Sequence, residues 1–260
     1  MISNNQRLLA VLAHPDDEAR IIGGTLAKYS RAGVYVAVWF ATRGEASTLL
    51  GNPPLCTPDE LPVVRAQELA AAAEALGLAD VRVRDYPDGE LAHVDAILLI
   101  REIVQTIREV RPHVVITFGP EGRTLHPDHI AIHHATTRAF DLAGTPTAFP
   151  EHSSAGIHPW SPCKLYYTTV AESIAKATNW RFPATLDDKI TVTIDVSPYL
   201  KAKQQATIEA HRTQYVDPPF ANLDEATRWR VLSREDFVLA ASHVGTLAQR
   251  EQDLFEGIAT

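Results

Sequence analysis

The feature that most constrains this chain is an alternation of short apolar runs with longer helical patterns, repeated four times before the rhythm breaks near Gly144. Residues 8–13 form a continuous apolar run between polar flanks, as suits a strand buried on both faces of a parallel sheet. Residues 18–32 then place Ile21, Ile22, Leu26 and Tyr29 at helical spacing, with Gly33 where a C-terminal cap belongs. The pattern repeats as a strand at 34–41, a helix at 61–78, a strand at 81–86, a helix at 94–111 stopped by Pro112, a strand at 113–118 and a helix at 128–142. Residues 42–59, rich in Gly, Pro, Thr and Ser, read as a long loop that can form part of a pocket wall.

Strand and helix in strict alternation predict an α/β fold: a Rossmann-like, doubly wound, mostly parallel sheet with right-handed crossovers. After Gly144 an irregular stretch to Pro162 precedes strands at 164–170 and 189–196 and helices at 198–212 and 234–241, read together as a C-terminal cap. No linker or internal repeat separates the parts, so one domain is expected over 1–260, with its core in 1–143 and the cap and embellishment in 144–260. At 45% hydrophobic and 22% charged residues, the chain lies outside the disordered range.

A formal net charge of -8 argues against a nucleic-acid partner, because phosphate-backbone binding needs clustered Lys and Arg. Cys56 and Cys163 are too few and too far apart for a disulfide framework, and neither lies near the clusters described next, which disfavours cysteine nucleophilic catalysis. The polar residues 1–7 do not resemble a secretory leader, and no apolar run reaches a membrane-spanning length, so a cytoplasmic enzyme without a membrane anchor is expected.

In open α/β sheets ligands bind at the carboxyl ends of strands where the strand order reverses. The first and fourth strands are the expected neighbours there, and each is followed by a histidine cluster: His14-Pro15-Asp16-Asp17-Glu18 and His126-Pro127-Asp128-His129. A catalytic zinc takes three His or carboxylate ligands and leaves a position for water. His14, Asp17 and His129 supply that set, and Asp16 lies beside the water as general base. Taken singly these residues read as helix caps or satisfied polar groups, but two adjacent carboxylates after a buried strand repel unless a cation or helix N-terminus compensates. Helical spacing alone leaves His133 open as a ligand, since it shares a helix face with His129.

The run Ala13 to Glu18, the following Gly23-Gly24, and His126-Pro127-Asp128-His129 resemble the PIG-L/LmbE family of zinc-dependent N-deacetylases. Arg65-Ala66-Gln67-Glu68-Leu69, Leu76-Gly77, Asp88-Gly89 and Ala210-His211-Arg212-Thr213-Gln214 resemble further family features in the expected order, so the likeness covers most of the chain. The resemblance implies His14, Asp17 and His129 as ligands of one Zn2+, with Fe2+ the alternative ion, and Asp16 as base. It also implies that His126, oriented by Asp128, stabilises the oxyanion or protonates the leaving amine, and that Arg65 and Asp88 contact substrate. It favours His129 over His133 as ligand and leaves His133 and His134 at the surface or behind the ligands. The implied reaction is removal of the N-acetyl group from an N-acetylglucosamine-containing small molecule by a homo-oligomer.

Two alternatives stand beside that expectation: an amidase acting on a thiol S-conjugate or antibiotic precursor, and a non-catalytic sugar-binding module. The absence of Gly-x-Gly-x-x-Gly after the first strand weakens a dinucleotide-binding role. The chain departs from the family pattern at Arg20, where an apolar side chain is usual, and in the glycine-poor stretch Gly122-Arg123-Thr124-Leu125, so its pocket rim is expected to differ.

Overall fold

A computed structural model describes residues 5–215, 220, 222–245 and 250–259. Strands β1 (Arg7–Leu12), β2 (Tyr35–Phe40), β3 (Asp80–Val83), β4 (Val114–Phe118), β5 (Lys164–Thr169), β6 (Val192–Asp195) and β7 (Arg234–Ser242) form one seven-stranded sheet in the order β3-β2-β1-β4-β5-β7-β6. The first five strands are parallel, and β7 runs antiparallel to both β5 and β6. The fold is thus the expected mostly parallel α/β sheet. Its order reverses between β1 and β4, where Leu8 pairs with Val114 and Ala10 with Ile116.

Helices α1 (Asp17–Arg31), α2 (Leu61–Leu76), α3 (Ala96–Val110), the short α4 (Gly122–Leu125) and α5 (Pro127–Ala143) connect the parallel strands. Helix α1 packs on α2 and on α6 (Leu200–Gln204), whereas α3 packs on α5, giving the two helical layers of a doubly wound sheet. Between them β1 is buried from Leu8 to Leu12, the physical reason for its unbroken apolar run. Among the described residues no helix is long and apolar enough to cross a membrane.

The expected cap strands extend this sheet instead of forming a separate layer over it. The expected helix at 234–241 is a strand: β7 fills the gap between β5 and β6, and its ladder bonds decide a short apolar segment that helix and strand patterns fit equally. Residues expected to form a helix over 198–212 do so from Leu200, continuing with a wider, π-type turn through Gln205–Ala210.

Helix α1 carries a kink at Ile22 (φ -132°) that draws the backbone amides of Gly24 and Thr25 out of the helical ladder. Both donate to the carboxylate of Glu235 on β7, at 3.0 and 2.8 Å, and Lys203 neutralises that buried charge at 2.6 Å. The close approach requires glycine, since a Cβ on Gly24 would lie 2.4 Å from Val196 Cβ. Val196 is β-branched and cannot swing clear. Gly24→Ala is expected to lower stability by about 1–3 kcal/mol through overpacking, read as a fall in the denaturant midpoint; an unchanged midpoint would show that the β6 end of the sheet yields freely.

Candidate metal centre

Both histidine clusters sit at the carboxyl ends of adjacent strands, so the β1–β4 pairing brings them together. His14 follows β1, Asp17 opens α1, and His129 lies in the first turn of α5. His14 Nδ1 is 3.3 Å from His129 Nε2 and 3.7 Å from Asp17 Oδ2, and His129 Nε2 is 3.4 Å from Asp17 Oδ1. Tetrahedral donors held at about 2.0–2.2 Å from one ion stand about 3.3–3.6 Å apart, so this triangle has the dimensions of a single-ion site. The donor set of two imidazoles and one carboxylate fits zinc and other divalent transition metals.

The far side of each ligand is also built. His14 Nε2 faces Asp88 Oδ1 at 3.0 Å and Asp128 Oδ2 at 3.1 Å, leaving Nδ1 for the ion. Burial opposes charge on His14, but Asp128, Asp88 and Asp17 outweigh it and push the imidazole up to about 10. His129 Nδ1 donates to Gly122 O at 3.1 Å, which turns Nε2 toward the ligand triangle, and its ring stacks on Phe118 at 4.0 Å. Burial first, then the neighbouring His14 and His126, hold His129 well below the usual histidine value, so it is neutral and ready to coordinate.

Asp16 lies outside the ligand triangle and adopts a left-handed conformation, φ 118°, that costs a non-glycine residue about 1–3 kcal/mol. Three contacts hold it there: its amide donates to Glu18 Oε2 at 2.9 Å, while Arg65 reaches both Pro15 O and, at 3.4 Å, Asp16 Oδ1. Burial and then the charge of Asp17 raise the Asp16 carboxyl to about 6.

Asp128 is the residue expected to orient His126; its carboxylate is taken by His14 and by the amides of Gly89 (2.8 Å) and Leu91 (3.0 Å). The link to His126 runs instead through the Asp128 backbone, whose N–H donates to His126 Nδ1 at 3.2 Å. Neutral His126 therefore carries its proton on Nε2. One oxygen of Asp88 faces His14 and the other accepts from Ala46 N at 2.8 Å. Arg65 is buried and spends its guanidinium on Gly44 O, Pro15 O and Asp16. His133 is also buried and donates to Phe118 O at 2.9 Å, away from the triangle, whereas His134 is exposed. A second His14–His126–Asp128 grouping has ligand-like spacing, but the two amides on Asp128 mark it as an acceptor for His14.

Sequence reasoning left His211 without a role. It is fully buried, and its Nε2 lies 2.6 Å from Glu18 Oε1, so His211, Glu18 and the Asp16 amide form one line. The same C-terminal motif packs on α2, where Thr213 N and Oγ1 donate to Glu68 at 2.7 and 2.6 Å. The motif around Arg65 and Glu68 and the motif around His211 and Thr213 thus meet behind Asp16. Their order in the chain was the only signal available for this.

Residues 9–140 match the family model described as PIG-L: GlcNAc-PI de-N-acetylase. The chain is 38% identical to the 1D-myo-inositol 2-acetamido-2-deoxy-alpha-D-glucopyranoside deacetylase of Rhodococcus erythropolis, over 99% of each chain. It is similar in fold to N,N'-diacetylchitobiose deacetylase from Pyrococcus horikoshii, with a TM-score of 0.69 and 20% identity over 90% of this chain and 83% of that one. It is also similar in fold to GalB, the 4-carboxy-2-hydroxymuconate hydratase of Pseudomonas putida, with a TM-score of 0.67 and 19% identity over 94% and 99% of the two chains.

Two outcomes are expected from this geometry. Because metal and proton compete for His14 Nδ1, loading the metal-free protein near neutral pH should release about one proton from that ring; calorimetry in buffers of different ionisation enthalpy reads it directly, and a buffer-independent heat would contradict the ligand assignment. The Glu18–His211 pair should set a pH window. Burial raises Glu18, but His211 outweighs it and the carboxyl is lowered, so its contribution is present above the unfolded value of about 4.5 and fades as pH falls. Burial lowers His211, but Glu18 outweighs it and the imidazole is raised, so that contribution is complete below about 6.5 and fades as pH rises. The stability gap between the wild type and a Glu18→Gln/His211→Gln double variant should therefore be widest between these pH values, and a flat gap from acid to alkaline pH would refute the assignment.

Proposed function

The chain belongs to the PIG-L family and is a metal-dependent deacetylase, and from that premise we propose that His14, Asp17 and His129 hold a zinc ion beside which Asp16 and His126 cleave the acetamide of an N-acetylglucosaminide. The observation that carries the reading is the ligand triangle with the strained Asp16 carboxylate set just outside it. The substrate we propose is a glucosaminide with a small polar aglycone, the class that includes the inositol glycoside named for the R. erythropolis relative.

Zinc held by these ligands supplies a lowered pKa for water and polarisation of the acetamide carbonyl. The remaining steps fall to the chain's own residues. Asp16, with its carboxyl near 6, takes a proton from the attacking water while Arg65 and Glu18 keep it in place. The water oxygen bonds to the carbonyl carbon, and His126, whose Nε2 carries the proton in its neutral form, donates a hydrogen bond to the developing oxyanion. The C–N bond then breaks as the proton held by Asp16 passes to the sugar nitrogen, and acetate and the free amine leave.

The test is release of free amine from N-acetylated sugars by the metal-loaded protein. Asp16→Asn should keep one metal per chain and lose about 100-fold or more in kcat, the range of general-base removal. Metal bound with no amine released from any N-acetylglucosaminide would overturn the reading, as would full activity in the Asp16 variant.

A further inference from the structure

Asp16 stands at the N-cap of α1 yet makes no side-chain cap hydrogen bond. An aspartate at that place ordinarily turns its carboxylate onto the amides of the first helical turn, so something other than capping sets its direction. With φ at 118° the residue leaves the ordinary cap conformation, and its own amide turns to Glu18 Oε2 at 2.9 Å.

Glu18 can hold that amide only where its carboxylate is itself fixed. It lies in the first turn of α1 and is fully buried, and its second oxygen meets Nε2 of His211 at 2.6 Å, 193 positions along the chain. Pinning both oxygens confines a side chain that otherwise turns about several bonds.

Two features of His211 suit this task better than they suit stability. Its Nδ1 is buried without a hydrogen-bond partner among the described residues, so the ring strands one polar atom in order to satisfy Glu18, which an apolar pair of similar volume would avoid. It is also delivered by the π-type turn Gln205–Ala210 that continues α6, a rare geometry that recurs at functional sites, and its N–H is tied back to Ala206 O at 3.3 Å.

We propose that His211 is a positioning residue for the reaction: through Glu18 it holds the backbone of Asp16 in the left-handed conformation that sets the carboxylate beside the ligand triangle. The inference rests on the deacetylase reading, in which Asp16 is the base, and adds to it a group from the C-terminal third of the chain. His211 acts at one remove, on where the Asp16 oxygens stand. A misplacement of about 1 Å at a reacting group costs about 100-fold in rate, and that is the scale on which loss of His211 is read.

The test measures kcat, KM and bound metal in three variants. In His211→Leu, kcat should fall by about 10- to 100-fold, with one metal per chain and a KM within about threefold of the wild type, the pattern of an interaction realised in the transition state. His211→Gln keeps an N–H donor for Glu18 and should recover most of that loss. Tyr166→Phe removes the hydroxyl bonded to the buried Lys164–Glu251 pair at the start of β5 and is the structural control. It should lower the denaturant midpoint and leave kcat per metal-loaded chain unchanged. Full kcat in His211→Leu, a loss that His211→Gln shares in full, or an equal loss in Tyr166→Phe would overturn the proposal.

Hydrogen exchange at the Asp16 amide gives a readout independent of turnover. That N–H should exchange slowly in the wild type, about tenfold or more faster in His211→Leu, and slowly again in His211→Gln. A freely exchanging Asp16 amide in the wild type would overturn the proposal whether or not the variants fold. If the wild type releases no amine from any N-acetylglucosaminide, the deacetylase reading falls, while the exchange measurement still decides whether His211 holds Asp16.

Discussion

The carboxylate of Asp128 is the contact on which the centre depends. It is completely buried, and it gathers three segments remote in sequence: His14 after β1, the amides of Gly89 and Leu91 after β3, and the first turn of α5 to which it belongs. Burial would raise its pKa, but the hydrogen bonds from His14, Gly89 and Leu91 outweigh this and hold the carboxyl below the usual range. As an anion it faces His14 Nε2, which leaves Nδ1 facing Asp17 and His129. Losing it would strand the buried amide of Leu91 and leave His14 Nε2 with Asp88 alone.

A second layer of the same logic lies behind Asp16. A left-handed aspartate at a helix start relaxes unless its surroundings hold it, and here Glu18 and Arg65 do so from two sides. Glu18 is itself buried and is satisfied by His211, from a part of the chain far outside the parallel core. The C-terminal third is therefore more than an extension of the sheet. It supplies His211 behind Asp16, Thr213 to Glu68, and Glu235 to the kinked amides of α1. The contacts of His211 and Glu235 end on α1, the helix that carries Asp17, and that of Thr213 ends on α2, which carries Arg65, so the left-handed Asp16 is held by packing elsewhere in the fold.

The fold likeness to a deacetylase and to a hydratase alike shows that this sheet does not by itself select a reaction. Reaction type follows from the groups at the strand ends, and substrate choice from the rim.

By itself the sequence determined the parallel core and the residue types of the centre. Unbroken apolar runs at β1, β2 and β4 occur where a strand is covered on both faces, and clusters directly after β1 and β4 meet wherever those strands are neighbours. Tertiary structure alone decided β7, because the short run around Phe237 and Val238 fits a helix or a strand until β5 and β6 offer their unpaired edges. It also decided the partners of each polar side chain. Asp88 and Asp128 meet at His14, Arg65 turns inward to Pro15 and Asp16, and His211 finds Glu18, all across long sequence separations. Spacing along a chain can show which residues share a strand end or helix face, but hydrogen-bond partners are chosen by distances of about 3 Å that exist only after the layers have packed.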